Sequence, residues 1–379
     1  MKKISVCCAV LLLLFSFCLF AAAEPADETQ RYYDEQLQAS GADRLAQSLP
    51  EETRALLRNL GIDTVDFQAL LNSSPRALLN LLLPLFRGKA AEPLRAALKT
   101  VGILLLLAVA ESLAPKDGKL NGTVRFIGGA LLIVSIVSPL AAVLNAAAAA
   151  LRLSADFMLL LIPALTAVVA AAGNPLLALN SRTLAFAAAQ AIARLADGFL
   201  LPLTGLSLAA SIAGTLAPEY KLHSLSQTLH KTAAWVLSCA AALFSGFLGL
   251  RGVLANAADS MTVRGIKLAM KSAVPIVGGA LSEAYASIAG SLSLLKNAIG
   301  IFGILALALL NLPVLAELLL WIAAFKAAGL AAQLLALEGL DELLEGFARA
   351  LVLLAVLVLL AALLMMVCTG LVISIRADQ

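Results

Sequence analysis

The stretch "VPIVGGALSEAYAS", Val274 to Ser287, places a proline, two adjacent glycines and a glutamate inside an otherwise apolar segment. In a soluble protein this reads as a turn. In a bilayer it is a weakened helix, and composition decides between the two. Of 379 residues, 61% are hydrophobic and 13% charged, and the mean hydropathy is +0.95. A soluble domain carries roughly 25% charged residues, so this chain cannot clothe itself for water. The reading is an all-α polytopic membrane protein. A formal net charge of +3 without a basic tail gives no reason to expect a nucleic-acid partner.

The first residues form a targeting segment. Lys2 and Lys3 precede the apolar run Ile4 to Phe20, and Ala21-Ala22-Ala23 matches a small-residue cleavage site before Glu24. Residues 1–23 are therefore expected to be a signal peptide, the alternative being an uncleaved first span. Cys7, Cys8 and Cys18 would leave with it, and Cys239 and Cys368 stand far apart in apolar runs. The exported segment then has no disulfide.

Residues 24–95 are expected to be an exported helical domain, since they hold eleven of the 24 acidic residues. "SLPEETRALLRNLG" offers Ser48 as a cap, Pro50 in the first turn, a stripe of Leu56, Leu57 and Leu60, and Gly61 as a stop. "NSSPRALLNLLLPLF" repeats the grammar, with Ser74 capping and Pro75 first. A domain of roughly seventy residues has a marginal core, so it should lean on the membrane portion or on another protein.

Residues 96–379 are expected to be the transmembrane domain. Apolar runs fall near 99–115, 124–150, 157–173, 183–217, 232–250, 273–295, 297–312, 314–332 and 347–374. A span needs about 20 apolar residues, which gives roughly seven to nine spans, with 273–295 and 297–312 a possible re-entrant pair. Lys116, Lys119 and Arg125 share one connection, and Arg251, Arg264, Lys267 and Lys271 crowd another. The connection with Glu338, Asp341, Glu342 and Glu345 is acidic. The positive-inside rule places the basic connections in the cytoplasm and the acidic one outside. An odd number of spans would then leave Gln379 in the cytoplasm. In "TVRGIKLAMK", Arg264, Lys267 and Lys271 form one basic helical face, suited to anionic lipid or to a cytoplasmic partner.

Enzyme signatures are missing. Gly88-Lys89 and Gly118-Lys119 lack the upstream glycine of a phosphate loop, and no G-x-S-x-G occurs. His223 and His230 are the two histidines, and on a helix they stand about 10 Å apart, too far to share a metal. No cofactor, metal ligand or catalytic residue is expected. The remaining candidates are polar residues at membrane depth: Glu111, Glu283, Lys296, Asn297, Glu317 and Lys326. Glu111 and Lys326, near the ends of their runs, are expected to snorkel.

The opening stretch admits two roles. Pro275 removes a backbone donor, and Gly278 and Gly279 remove side chains beside it. A break in lipid is tolerated only against protein or a water-filled cavity. Followed by Glu283 and, further on, Lys296 and Asn297, it has the form of a conduction or gating site. Small residues around it equally form a smooth face for close helix packing. "LIPALTAVVAAAGNP", Leu161 to Pro175, faintly echoes it.

"RGIKLAMKSAVPIVGGALSEAYASI", then "LLKNAIG" and "NLP", closely resembles the stage III sporulation protein AE family. The resemblance runs over most of the chain and is most specific in residues 251–313. It implies a multispan component of the apparatus joining mother cell and forespore, placed on the mother-cell side in the outer forespore membrane during engulfment. It also implies partners in the same apparatus, among them a separate ATPase and ring-forming proteins, in a secretion-like channel that supports late forespore gene expression. No catalytic residue is implied. The alternative from the residues alone is a self-sufficient secondary transporter with its site around Pro275–Glu283.

The two roles of the stretch separate by mutation. If it packs a neighbour, Gly278→Leu or Gly279→Leu disrupts complex recovery in a pull-down and late forespore reporter expression, while Glu283→Gln passes both. If it conducts, Glu283→Gln keeps the complex and loses the reporter. Wild-type behaviour from all three variants rejects both.

Overall fold

The computed structural model describes residues 27–65, 75–113, 119–172, 175–217, 220, 222, 224–246, 278–337 and 339–373. Every regular element among them is helical. In chain order these are α1 (Asp27–Ser40), a short 3₁₀ turn (Ala42–Arg44), α2 (Glu51–Asn59), α3 (Pro75–Lys89) and α4 (Ala91–Leu113). Then follow α5 (Lys119–Ala171) and α6 (Pro175–Leu195), which passes through a π turn (Ala196–Leu200) into α7 (Leu201–Leu216). Helix α8 covers 224–246, and the chain ends in α9 (Gly278–Leu334) and α10 (Leu340–Ile373).

Among the described residues, five helical segments are long and apolar enough to cross a membrane: Ala91–Leu113, Thr123–Ala171, Ala189–Leu216, Gly290–Leu334 and Leu340–Ile373. This is fewer than the apolar runs of the sequence, because neighbouring runs fuse. The runs at 124–150 and 157–173 become one helix, α5, and those at 297–312 and 314–332 continue within α9. The expected re-entrant turn at Lys296-Asn297 is helix interior. At 57 residues α9 is about 85 Å long by its rise, far more than one hydrocarbon layer of about 30 Å.

Helix α9 is the spine. It packs on α10, α5 and α4, and α1, α2 and α3 also lie against it. Helices α5 and α9 run antiparallel, since Leu161 meets Gly303 where Ser154 meets Asn311. Helix α10 runs parallel to α5, with Leu340 beside Gly129 and Thr369 beside Met158. At the α9–α10 turn Ala336 takes φ +55°. The Ala336 amide donates to Gln333 and that of Leu337 to Ala332, which closes a helix end usually made by glycine.

The helices before α4 lie against the long helices. Leu45, Leu57 and Ile62 are buried in the same core as the long helices. Lys89 reaches Glu52 at 3.2 Å and Glu317 of α9 at 3.8 Å. Helix α2 ends as expected at Gly61, φ +76°, with the Ile62 amide donating to Leu57. Its start differs: Pro50 is the N-cap, and the Ser48 hydroxyl donates to the Leu45 carbonyl instead.

Packing brings two of the connections together. Gly129, ten residues into α5, touches Leu340, so the α4–α5 and α9–α10 connections lie at one end of the bundle. The helix ends that flank these two connections therefore share one end of the bundle, and the second basic connection, 251–271, lies outside the described residues. Ile373 lies beside Gly300, away from that end. Gln379 is outside the described residues. In a chain whose five native cysteines are replaced, single cysteines at the exposed Thr123 and Gln333 should respond alike to an impermeant thiol reagent in intact cells. Labelling of one and protection of the other contradicts the packing.

Candidate functional site

The expected site residues distribute unevenly. Arg264, Lys267, Lys271 and Pro275 lie outside the described residues. Gly278 and Gly279 are the first residues of α9, and Glu283 follows within its backbone. Lys296 is buried and Asn297 half-buried in the same helix. Thirteen residues of helix separate Glu283 from Lys296, about 20 Å along the axis, so the two do not form one cluster. Of the remaining polar candidates, Glu111 accepts a 2.6 Å hydrogen bond from Arg125 across the α4–α5 corner, and Lys326 is exposed.

What the fold does bring together is a set of polar contacts between helices. Asn311 of α9 is 1% exposed. Its amide nitrogen donates to Ser154 Oγ of α5 at 2.9 Å and to its own Leu307 carbonyl at 2.8 Å, while Oδ1 meets no donor among the described residues. Two residues on, Pro313 has no N–H to offer the Leu309 carbonyl. One turn of the spine thus holds a lateral polar clamp and a gap in its own ladder.

A second contact ties α5 to the π turn. Arg152 donates through Nε to Asp197 Oδ2 at 3.0 Å and through an Nη to Oδ1 at 3.3 Å. The π turn lies just before Pro202 of α7, and such bulges commonly mark functional positions in helices. The third contact joins α7 and α8. Ser226 is buried 2.6 Å from Ser211 Oγ and 3.2 Å from Ser207 Oγ, and its hydroxyl donates to the Ser207 carbonyl at 2.9 Å. Gly346 of α10 leaves the room for it, because a Cβ there would stand 2.7 Å from Ser211 Oγ.

No group of three or more His, Cys, Asp or Glu able to hold a metal occurs among the described residues. His230 is half-buried; burial, aided by the neighbouring Arg349 charge, holds its imidazole below the usual histidine range. Nothing in these contacts is arranged as nucleophile, base and acceptor. They join helices. Sequence reasoning missed Ser154, Asn311 and the three serines because an isolated small polar residue in an apolar run is invisible until its partner is known. The only available signal was Asn311 itself, an amide within "NLP".

The class of protein is thus a helical, multispan membrane protein whose buried polar groups link helices. The family model for stage III sporulation protein AE matches residues 72–376, and the chain belongs to that family. It is 27% identical over 174 residues to the stage III sporulation protein AE of Bacillus subtilis (strain 168), covering 46% of this chain and 44% of that relative. The match thus spans less than half the relative's length. No solved structure matches the chain.

The serine contact yields a sign reversal. Gly346→Ala gains helix propensity of about 0.5–1 kcal/mol, yet overpacking against Ser211 costs about 1–3 kcal/mol, so the variant should unfold at lower temperature than wild type. In a Ser211→Gly background the obstacle is gone, and the same substitution should raise the unfolding temperature. Thermal denaturation of the purified protein in detergent measures both.

Proposed function

We propose that this chain is an integral membrane platform, or channel part, of the sporulation apparatus linking mother cell and forespore, needed for late forespore gene expression. The observation that carries the reading is the family match, which spans all five apolar segments and the polar contacts between them. The helices before α4 support it: they lie on the spine of the membrane helices and present a polar outer surface that a partner in the intermembrane space can use. In this reading the signal peptide is removed after Ala23, the membrane helices lie in the outer forespore membrane, and the N-terminal helices are exported into the intermembrane space. Energy comes from a separate ATPase, ring-forming proteins complete the assembly, and the chain itself is not an enzyme.

The test compares assembly with autonomous transport. Affinity capture from sporulating cells should recover ring-forming proteins and an ATPase, and deletion should abolish late forespore reporter expression. Purified chain in liposomes should conduct no solute by itself. Substrate-dependent flux from the lone protein would favour the secondary transporter instead.

A further inference from the structure

The seam between α8 and α10 combines an apolar cavity with a cationic end. The cavity has a volume of about 100 Å³ and is lined by Leu237 and Phe244 of α8, Leu357 and Leu364 of α10, and Ile192 and Leu195 of α6. His230 of α8 lies in the electrostatic field of Arg349 of α10. The offset between these two positions, 119, matches the 120 between Leu237 and Leu357 and between Phe244 and Leu364. The charged end and the cavity therefore belong to one continuous seam. They are separated by seven or eight residues, about 11 Å of rise.

Three observations indicate what such a seam receives. Beyond Lys231 the described part of α8 has no charged residue, and beyond Arg349 α10 has none to Ile373. Trp235, between His230 and Leu237, is 68% exposed, and Leu243 and Val356 are exposed nearby. An outward Trp at a charge boundary is the signature of a membrane–water interface. Finally, among the described residues Arg349 pairs with the Glu345 carboxylate of its own helix, 57% exposed, at 3.7 Å. Its guanidinium retains donors suited to the two oxygens of a phosphate.

We propose that the α8–α10 seam is a binding site for an anionic phospholipid, with the phosphate on Arg349 and an acyl chain in the cavity between α6, α8 and α10. The cavity is too small for a whole lipid and takes a stretch of one chain. The His230 ring supplies a second polar contact to the headgroup, while Glu345 competes with it for Arg349. The proposal rests on the chain being embedded in a membrane and is independent of its role in sporulation.

The test uses the full-length protein in mild detergent, titrated with phosphatidylglycerol or with phosphatidylcholine of the same chain length, and counts retained lipid by native mass spectrometry. One phosphatidylglycerol per chain should be held, about tenfold more tightly than phosphatidylcholine, whose phosphate is the same but whose choline cation opposes the positive charge of Arg349. Arg349→Gln should bring the two lipids to parity, and Glu345→Gln should widen the preference. Ala240→Phe, at a position lining the cavity, should lower retention of both. Should that variant not fold, shortening the lipid chains on the wild type reads the same contact. Phosphatidylglycerol should also raise the unfolding temperature of the wild type and not of Arg349→Gln. Equal retention of the two lipids by the wild type, or an unchanged preference in Arg349→Gln, overturns the proposal. So does the absence of any bound lipid, which would mean that protein closes the seam.

Discussion

The close approach of α9 to α5 on one side and α10 on the other is the constraint from which the bundle follows. Gly303 lets Leu161 of α5 lie against the spine, and Gly300 does the same for Ile373 of α10. Both are on one helix, three residues apart, and therefore on neighbouring faces. In lipid, helices gain little from hiding apolar surface from one another, so packing and hydrogen bonds decide which faces meet. Small residues give the packing. Asn311 and Ser154 give the hydrogen bond that sets the register.

Register matters because the helices are long and monotonous. A slide of α5 by one turn against α9 would exchange leucine for leucine or alanine at most positions, at small cost. It would also leave the Asn311 amide without its Ser154 partner, at a cost of about 1–3 kcal/mol for a buried polar group. A single buried amide can thus fix what dozens of apolar contacts leave loose, as an asparagine does in a coiled coil. The buried serine contact fixes α7 against α8 in the same way, and the exposed Arg152–Asp197 pair adds a tie between α5 and the π turn.

This construction suits a platform. Contacts that join helices laterally are spread along the bundle and are not gathered into one pocket. The N-terminal helices are fastened to the same spine through Lys89, Glu52 and Glu317, so a load on the N-terminal helices reaches α9 directly. The gap in the α9 ladder at Leu309–Pro313 sits beside the Asn311 clamp, and any bending of the spine is expected to begin there.

The class of protein was legible in the residues alone, because scarcity of charge is a property of composition and needs no partner. The helix signals of the N-terminal region were equally local: Pro75 and Gly61 bound their helices because φ restriction acts within one residue. The number of separate helices was not legible. Arg152, Ser154 and Asp156 look like a connection until Asp197 and Asn311 are seen to satisfy two of them from the side. Which connections share an end of the bundle was not legible either, since charge is read loop by loop while packing sets Gly129 against Leu340. Local rules determine where a helix can start and stop; which polar group meets which, and which loops share an end, depend on contacts across more than a hundred residues, and only the tertiary structure decides them.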